Sequence, residues 1–299
     1  MSKPYIDKTG KVAINLPFYD ASDFQEGLAR IRFRGWGYID KTGQTVINQQ
    51  FDEAWGFQEG LARIKLGRKY GYIDSTGQIV IKPQFGEAED FQEGLARIRI
   101  HAEYGEHGYI DKTGKMAIEP QFGEAWSFQE GLARIRLGDK CGYIDKTGKT
   151  ITKLQFDRPW NFQEGLAIIR IRDKYGYIDK TGQMVIEPQF DAAGDFQEGL
   201  AWIELAGKLG RIDKSGKIVS EPQFGEAEGF QEELAGIRLH GKYGYIDKTG
   251  KIVSEPRFDK AEDFQEGLAR IRLGNKWGYI DRTGKIAIKP QFDEAGFFN

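Results

Sequence analysis

The sequence predicts an all-β protein built from tandem repeats of about 34 residues. The hexapeptide Phe-Gln-Glu-Gly-Leu-Ala recurs seven times, and an eighth copy has Glu in place of Gly. A fixed period of this size is typical of solenoids and propellers, and apolar residues that alternate with a period of two indicate strands. The copies start at Phe24, Phe57, Phe91, Phe128, Phe162, Phe196, Phe230 and Phe264.

The charge composition limits the kinds of partner that we expect the protein to bind. The chain has 43 Lys and Arg against 45 Asp and Glu, and both signs are interleaved in every repeat, so we expect neither nucleic acid nor membrane as a partner. The single cysteine, Cys141, cannot form an intramolecular disulfide. The first residues lack the apolar core of a signal peptide, and no apolar run is long enough to span a bilayer. We therefore expect a soluble, cytoplasmic protein.

The first predicted strand of each unit follows the hexapeptide. Residues 132–137 alternate, so Ala133 and Ile135 share one face while Arg134 and Arg136 share the other. This pattern predicts a half-buried strand with a basic outer face.

An Asp-x-Thr/Ser-Gly pattern follows the second strand and predicts a tight hairpin turn. The Asp side chain accepts hydrogen bonds from backbone N–H groups further along the turn, and the Gly adopts a positive φ. After a first copy at Asp7, the pattern places these residues at Asp40 and Gly43, Asp74 and Gly77, Asp111 and Gly114, Asp145 and Gly148, Asp179 and Gly182, Asp213 and Gly216, Asp247 and Gly250, and Asp281 and Gly284.

A third strand rich in β-branched residues follows each turn, for example at 79–81. A proline two residues later, such as Pro83, is expected to end it because proline donates no ladder hydrogen bond. We expect Phe85 and Phe91 to fill the space between neighbouring sheets, with Ala88 allowing close approach. One unit buries too little apolar surface to fold alone, so the interfaces between repeats must supply the stability.

The segments Lys-Trp-Gly-Tyr-Ile-Asp at 276–281 and Trp-Gly-Tyr-Ile-Asp at 36–40 resemble the WG repeat, also called the KWG repeat, which occurs mostly in bacterial proteins. Each segment is followed by Thr-Gly at the family's spacing, and the resemblance covers essentially the whole chain. It implies an all-β repeat fold with binding roles and no common catalytic residues. The tryptophan position itself varies, with Tyr70, His107, Cys141, Tyr175, Leu209 and Tyr243 in its place.

The count of elements favours an open superhelical, solenoid-like array over a closed propeller of eight or nine small blades. Eight Leu-Ala-Arg-Ile-Arg strands stand against nine of the following hairpins, so a hairpin at residues 5–14 is left over as an N-terminal cap. We interpret residues 1–299 as one continuous array of eight full repeats with partial repeats at the ends.

Departures from the repeat are the better guide to function. Trp55, Trp126 and Trp160 occupy a variable, otherwise acidic position, where they would form a stacking platform for a sugar or a partner side chain. The alternative is that these rings pack on the adjacent unit.

Two basic ladders run along the first strands and include Arg97 and Arg134 in one and Arg99 and Arg136 in the other. Their guanidinium groups would bind carboxylates or phosphates of a partner, or, as the alternative, form a network with nearby acids such as the Glu of each Phe-Gln-Glu. Apolar residues interrupt the first ladder at Ile168, Trp202 and Gly236, which makes this stretch a candidate contact patch.

Residues 101–107 carry three extra residues and two histidines, which a longer hairpin loop explains without a metal. No phosphate-binding loop, nucleophile elbow or zinc-protease motif is present, so we expect no cofactor, no metal and no enzymatic activity. The leading hypothesis is a scaffold that binds a protein or peptide along an extended face. A lectin-like module that uses the tryptophans is second, and a carboxylate-based hydrolase is third.

Overall fold

The chain folds into a series of small antiparallel sheets. The computed structural model describes residues 5–6, 12–14, 20–101, 105–152, 156–157, 159–227 and 231–296. Within these ranges every regular element is a β-strand. A two-stranded hairpin is followed by eight sheets of three or four strands each. The prediction of an all-β fold made of tandem antiparallel sheets is confirmed.

The chain divides into two compact units, residues 1–156 and 157–299. In every sheet the strands pair in chain order as a meander. Unit 1 begins with the hairpin of β1 (Tyr5–Ile6) and β2 (Val12–Ile14). Sheet 1 then consists of β3 (Asp20–Ala21), β4 (Leu28–Arg32), β5 (Trp36–Asp40) and β6 (Thr45–Phe51), and sheet 2 of β7 (Glu53–Gln58), β8 (Leu61–Leu66), β9 (Lys69–Asp74) and β10 (Ile79–Phe85). Sheet 3 consists of β11 (Glu87–Ala88), β12 (Leu95–Arg99), β13 (His107–Asp111) and β14 (Met116–Phe122), and sheet 4 of β15 (Glu124–Ala125), β16 (Leu132–Leu137) and β17 (Lys140–Asp145).

Unit 2 repeats the same plan. Sheet 5 consists of β18 (Phe162–Gln163), β19 (Leu166–Ile171), β20 (Lys174–Asp179) and β21 (Met184–Phe190), and sheet 6 of β22 (Ala192–Ala193), β23 (Leu200–Leu205), β24 (Lys208–Asp213) and β25 (Ile218–Phe224). Sheet 7 consists of β26 (Glu226–Ala227), β27 (Leu234–Leu239), β28 (Lys242–Asp247) and β29 (Ile252–Phe258), and sheet 8 of β30 (Lys260–Gln265), β31 (Leu268–Leu273), β32 (Lys276–Asp281) and β33 (Ile286–Phe292). The continuity of residues 1–299 as one array, and the choice between an open array and a closed ring, stay predictions.

The hexapeptide closes a hairpin instead of simply leading into a strand. Gln25 and Leu28 exchange two backbone hydrogen bonds of 2.9 and 3.1 Å around Glu26 and Gly27. Both central residues have positive φ, 49° for Glu26 and 89° for Gly27, as a two-residue type I′ turn requires. The turn joins a short first strand, often of two residues, to the Leu-Ala strand. Within the described residues, seven of the eight sheets therefore have four strands, one more than the sequence pattern indicates.

In the six sheets whose last strand contains this proline, the strand continues through it, so the expectation that proline ends the strand is wrong. In β10 the register passes from Ile81 opposite Tyr72 to Phe85 opposite Tyr70, so two extra residues bulge out and Pro83 lies among them. A bulge leaves residues outside the ladder, where proline's missing N–H costs nothing. Gly71 on the neighbouring strand permits this approach, since a Cβ there would lie 2.6 Å from the nitrogen of Pro83.

The hydrophobic core lies in the layers between consecutive sheets, which we call seams. In the seam between sheets 2 and 3, Tyr72 and Phe85 of the first sheet pack with Ala88, Phe91 and Ile98 of the next, and all are buried. The seam between sheets 5 and 6 in unit 2 repeats the arrangement. Phe85, Phe91 and Ala88 thus lie where the sequence indicates.

The N-terminal hairpin packs on sheet 1 in the way that sheet 2 packs on sheet 3. Ile14 of the hairpin is buried in a cluster with Ile31 of sheet 1. The hydroxyl of Tyr5 donates to the carbonyl of Ser22 at 2.7 Å. The turn residues of this hairpin, including Asp7, lie outside the described residues, and its role as a cap stays a prediction.

The steric role of the glycine opposite the bulge is testable in unit 2. Gly176→Ala would place a Cβ 2.4 Å from the carbonyl oxygen of Ile186, so we expect a loss of about 2–3 kcal/mol in unfolding free energy. The control is Gly199→Ala, which has φ of 80° but nothing within 4 Å of a Cβ, so it should lose only about 1 kcal/mol. Denaturant unfolding of both variants measures this difference, and an equal or larger loss in the control would contradict it.

Candidate functional site

The Asp-x-Thr/Ser-Gly segments form turns held by one carboxylate oxygen. In the first described copy, Asp40 Oδ1 accepts from the backbone N–H of Thr42 at 2.8 Å, from its hydroxyl at 2.6 Å and from Gln44 N–H at 3.0 Å. Gly43 has φ of 84°. The same geometry places Asp74 and Gly77, Asp111 and Gly114, Asp145 and Gly148, Asp179 and Gly182, Asp213 and Gly216, Asp247 and Gly250, and Asp281 and Gly284 in equivalent turns.

These turns also contact the preceding sheet. A Cβ on Gly77 would lie 3.2 Å from the side chain of Ile47, which belongs to the last strand of sheet 1. Glycine is therefore needed at this position both because φ is positive and because the packing leaves little room for a side chain. Hydrogen bonds from Thr181 and from backbone N–H groups lower the pKa of Asp179, and the pKa values of Asp74 and Asp111 are lowered in the same way. A lowered pKa suits a structural acceptor and not a general acid.

The Glu of the hexapeptide bridges one sheet to the next in several repeats, including those of Glu26, Glu59, Glu93, Glu164 and Glu232. Glu59 of sheet 2 accepts hydrogen bonds from the N–H groups of Glu93 and Gly94 in sheet 3, at 2.6 and 2.9 Å, and pairs with Lys112 at 3.1 Å. Burial opposes ionisation of Glu59, but these contacts outweigh it and lower its pKa. In unit 2, Glu164 bonds to Glu198 and Gly199 in the same way. We call this contact the carboxylate bridge.

Arginines of the first ladder cross the seams instead of lining an open outer face. Arg97 of sheet 3 donates from Nη1 to the carbonyl of Ala125 in sheet 4 at 2.8 Å, and Arg30 of sheet 1 donates to Ala54 of sheet 2 at 2.6 Å. Arg63 and Arg270 make the same contact with Ala88 and Ala295. The guanidinium at the end of each side chain reaches the next sheet, so these arginines lie across the seams.

The acids that neutralise the arginines are those of the short first strands. Arg97 pairs with Glu87 at 3.0 Å and with Glu89 at 2.7 Å. Arg99 of the second ladder also pairs with Glu87. The expectation that the Glu of Phe-Gln-Glu serves this purpose is wrong, because that residue makes the carboxylate bridge.

The second ladder is more open to solvent. Arg136 pairs with Glu124 at 3.0 Å, and 39% of its side chain is exposed. Arg134 of the first ladder has a pKa lowered by burial. The two ladders therefore differ in environment, although both stand on the same face of the strand.

The tryptophans lie beside the arginines. The guanidinium of Arg63 lies 4.1 Å from the ring centroid of Trp55, and that of Arg134 lies 3.8 Å from Trp126. These are cation–π distances, and the stacked arginine covers one face of each ring. Both rings are half-buried. The structure thus places Trp55 and Trp126 at the seams, as in the packing alternative.

The interruption of the first ladder changes the seams of unit 2. Ile168 is buried in the seam between sheets 5 and 6, with Trp160 packed against the same cluster. Trp202 packs with the cluster at sheets 6 and 7, and the guanidinium of Arg211 lies 4.9 Å from its ring. Arg211 replaces the tyrosine of other sheets, and burial lowers its pKa to about 10.

An exposed row of aliphatic residues begins the last strand of many sheets. Each of these strands is an edge of its sheet, and its first two residues precede the buried Ile. We call these residues the aliphatic edge; they are 39–42% exposed and comprise Val46, Ile79 and Val80 in unit 1 and Val185, Ile218 and Ile286 in unit 2. Sequence reasoning missed them as a surface, although the two consecutive apolar residues after most turns are more than one face of a strand can bury.

The inserted stretch at 101–107 contains less loop than expected. His107 belongs to β13, is buried, and its Nδ1 lies 3.1 Å from the carbonyl oxygen of Gly123. Residues 102–104 lie outside the described residues. Among the described residues, no group of three or more His, Cys, Asp or Glu is placed to hold a metal ion, and no helix is long and apolar enough to cross a membrane.

The Asp turns predict a specific dependence of stability on pH. Because the folded pKa of Asp179 lies below that of the unfolded chain, its stabilising effect is full above about pH 4 and is lost as pH falls through the folded pKa. Asp179→Asn should therefore lower the melting temperature at pH 7, and the difference from the parent should shrink as pH falls from about 4 through the folded pKa of Asp179, because the protonated carboxyl is neutral like the amide. A difference that persists unchanged at low pH would assign the effect to shape and not to charge.

The seam arginines predict a loss of stability on neutralisation. Arg63→Met removes the ion pair of 3.1 Å to the partly buried Asp90 and the contact with Ala88, so we expect a loss of about 2–3 kcal/mol in unfolding free energy. Arg68→Met, at an exposed hairpin position, should change it by less than about 0.5 kcal/mol. Equal effects of the two substitutions would show that Arg63 does not hold the seam.

Comparisons with solved structures show a likeness of fold. A crystal structure described as the eukaryotic initiation factor is 14% identical over 98% of this chain and 91% of its own, with a TM-score of 0.51. Dihydro-heme d1 dehydrogenase NirN is 10% identical over 97% of this chain and 78% of its own, with a TM-score of 0.39. Kluyveromyces lactis Hsv2p is 8% identical over 74% and 89%, with a TM-score of 0.36. The search of curated proteins gives no match.

The sequence model of the WG containing repeat matches the chain nine times in succession. The matched residues are 5–35, 36–70, 70–104, 108–141, 142–175, 175–208, 210–243, 243–277 and 277–299. The glycine of the Trp-Gly pair faces the bulge of the last strand, where a larger residue would clash with the backbone. The chain belongs to the WG-repeat family.

Proposed function

We propose that the protein is a non-enzymatic scaffold that binds an extended peptide segment of a partner protein along the aliphatic edge. The observation that carries this proposal is the recurrence of exposed Val and Ile residues on edge strands in both units. Polar or charged residues flank these side chains in the sequence, for example Gln78 and Lys82 around Ile79 and Val80, so each of these strands begins with a small apolar surface among polar residues. Repeated apolar surfaces of this kind mark interaction sites.

The edge position specifies the form of the ligand. An edge strand has backbone N–H and C=O groups on one side that no strand of its own sheet pairs, and an extended peptide can add to them as a further strand. Alternate side chains of such a peptide would contact residues such as Ile79 and Val80. The chemistry therefore favours a peptide with alternating aliphatic residues over a folded, charged surface.

The geometry favours this function over the two alternatives. A carbohydrate needs an open aromatic face, but Arg63 and Arg134 cover one face of Trp55 and Trp126. A carboxylate-based hydrolase needs a proton donor with a raised pKa. Turn residues such as Asp74, Asp111 and Asp179 have lowered pKa values instead, because their carboxylates accept the turn hydrogen bonds.

Selection from a random 12-residue peptide library displayed on phage tests the proposal. We expect enrichment of extended sequences with alternating aliphatic residues. The variant Ile79→Thr, Val80→Thr, Val185→Thr and Ile218→Thr keeps β-branched side chains but removes their apolar character, and should weaken binding of the selected peptides at least tenfold.

The matched control is Leu66→Thr with Leu137→Thr, which changes exposed leucines at the other hairpin and should leave binding unchanged. Selected peptides that bind the edge variant as well as the parent would refute the proposal. So would a self-association of the parent that the edge variant abolishes, because the edge would then belong to a second copy of the chain.

A further inference from the structure

We propose that the groove between the last strand of sheet 7 and the Asp turn of sheet 8 binds an acidic side chain of the peptide partner through Arg257 and Lys285. The inference rests on the proposed function and deepens it, since it assigns a side chain to the peptide that the aliphatic edge would bind. The groove has a volume of about 520 Å³, and Val253 and Ile286 line it together with the two cations.

The groove forms where the turn of sheet 8 lies against β29. Ser254 of β29 is buried at a position that holds Ile in five other sheets, and it leaves more room for the turn. A Cβ on Gly284 would lie 2.3 Å from the carbonyl oxygen of Val253. In unit 1, the equivalent Cβ on Gly77 would meet the side chain of Ile47 at 3.2 Å. The turn of sheet 8 therefore lies close to the backbone of β29.

Arg257 is held at this groove without an acidic partner. Its Nη2 lies 3.4 Å from the carbonyl oxygen of Gly284, and its guanidinium carbon lies 5.1 Å from the ring centroid of Phe258. The residue is exposed, and a guanidinium has five N–H donors. In the part of the chain that the structure describes, neither Arg257 nor Lys285 forms an ion pair. The nearby Asp281 accepts the hydrogen bonds of its own turn, including the backbone N–H of Lys285 at 3.1 Å.

The seam between sheets 6 and 7 is a natural control, because its sequence differs at one position only. Eight residues line the groove, and seven of them have the same residue type one repeat earlier. The exception is Arg257, which has Gln223 as its counterpart. Glutamine stands at this position in every sheet other than sheet 7. Packing between sheets therefore does not require an arginine here, and the replacement adds a charge to an otherwise repeated surface.

The added charge changes the balance of the groove. Arg257 and Lys285 are accompanied by one carboxylate, that of Glu255, whereas the counterparts Lys251 and Glu221 balance each other in the preceding seam. A surplus of cations selects a negatively charged ligand, and a guanidinium can bind a carboxylate through two parallel hydrogen bonds.

The apolar residues of the groove specify where that carboxylate comes from. Ile286 is 40% exposed and Val253 is half-buried, so the two offer contacts for aliphatic side chains beside the cations. A free inorganic anion would leave this apolar surface uncovered. A glutamate or aspartate between aliphatic residues of an extended peptide matches both parts of the groove.

Nuclear magnetic resonance of protein labelled at the arginine Nε atoms tests the site. The probe is the capped heptapeptide Thr-Val-Thr-Glu-Thr-Val-Thr, which in an extended form has both valines and the glutamate on one face. The same peptide with glutamine is its uncharged control. We expect a saturable shift of the Arg257 signal, assigned through Arg257→Gln, and at least fivefold weaker binding with the glutamine peptide. The signal of Arg68, at an exposed hairpin of sheet 2, should not move.

Two substitutions check that the groove and not the labelled residue alone binds the peptide. Lys285→Gln should weaken the glutamate peptide at least threefold. Gln223→Arg should create a second arginine signal that responds to this peptide, because the preceding seam then has the same eight residues. An Arg257 signal that does not respond, equal binding of the two peptides, or a silent Gln223→Arg would overturn the proposal. So would a response to inorganic phosphate as strong as that to the glutamate peptide, because the groove would then be a general anion site.

The aliphatic-edge variant separates this inference from the proposed function. It should keep the response of Arg257 to the glutamate peptide, since none of its four substitutions lies in the groove between sheets 7 and 8. Loss of phage-selected binding with a retained Arg257 response would uphold both proposals. Retained phage-selected binding by the edge variant refutes the scaffold proposal alone, and an absent Arg257 response in the parent refutes the acidic-side-chain site alone.

Discussion

The structure depends on burial between sheets, because no single sheet has a core of its own. In the described seams within each unit that retain the tyrosine, its ring packs against the phenylalanine of the next hexapeptide, as Tyr72 does with Phe91 at a centroid distance of 4.8 Å. The tyrosine hydroxyl also donates to a carbonyl 17 residues further along, for example from Tyr72 to Glu89. Apolar burial and one satisfied polar group therefore come from the same side chain, which suits a seam that must exclude water.

The carboxylate bridge explains why a glutamate tolerates an unfavourable backbone. Glu59, Glu93 and Glu164 have φ between 51° and 54°, a region that side chains other than Asn, Asp and Gly rarely adopt. The type I′ turn needs this conformation, and the same turn presents two N–H groups to the carboxylate of the preceding sheet. The strain in one sheet is thus offset by hydrogen bonds between sheets, and a repeat outside the array would retain the strain without the compensation.

Sequence reasoning succeeds where the cause is local and fails where it lies in the next repeat. The turn at Asp40 could be predicted because its donors lie within four residues of the carboxylate. The partner of Arg97 lies 28 residues away, and nothing within its own strand distinguishes it from Arg99, so the pattern indicated a basic face where the structure has a seam. Gly71 and Pro83 are also explained only as a pair, because the bulge that contains one requires the absence of a side chain at the other.

The same distinction shows why departures from the repeat carry functional information in this fold. A seam contact joins residues of two sheets. Replacing one of the two residues therefore leaves the other in the seam without its hydrogen bond or ion pair, which lowers stability. Where Ile168 takes the place of an arginine, burial of an apolar side chain offsets part of the lost stability, but Asp195 keeps its charge at the rim of the seam. Packing of the seam therefore accounts for the apolar side chain at 168 but not for the exposed carboxylate of Asp195.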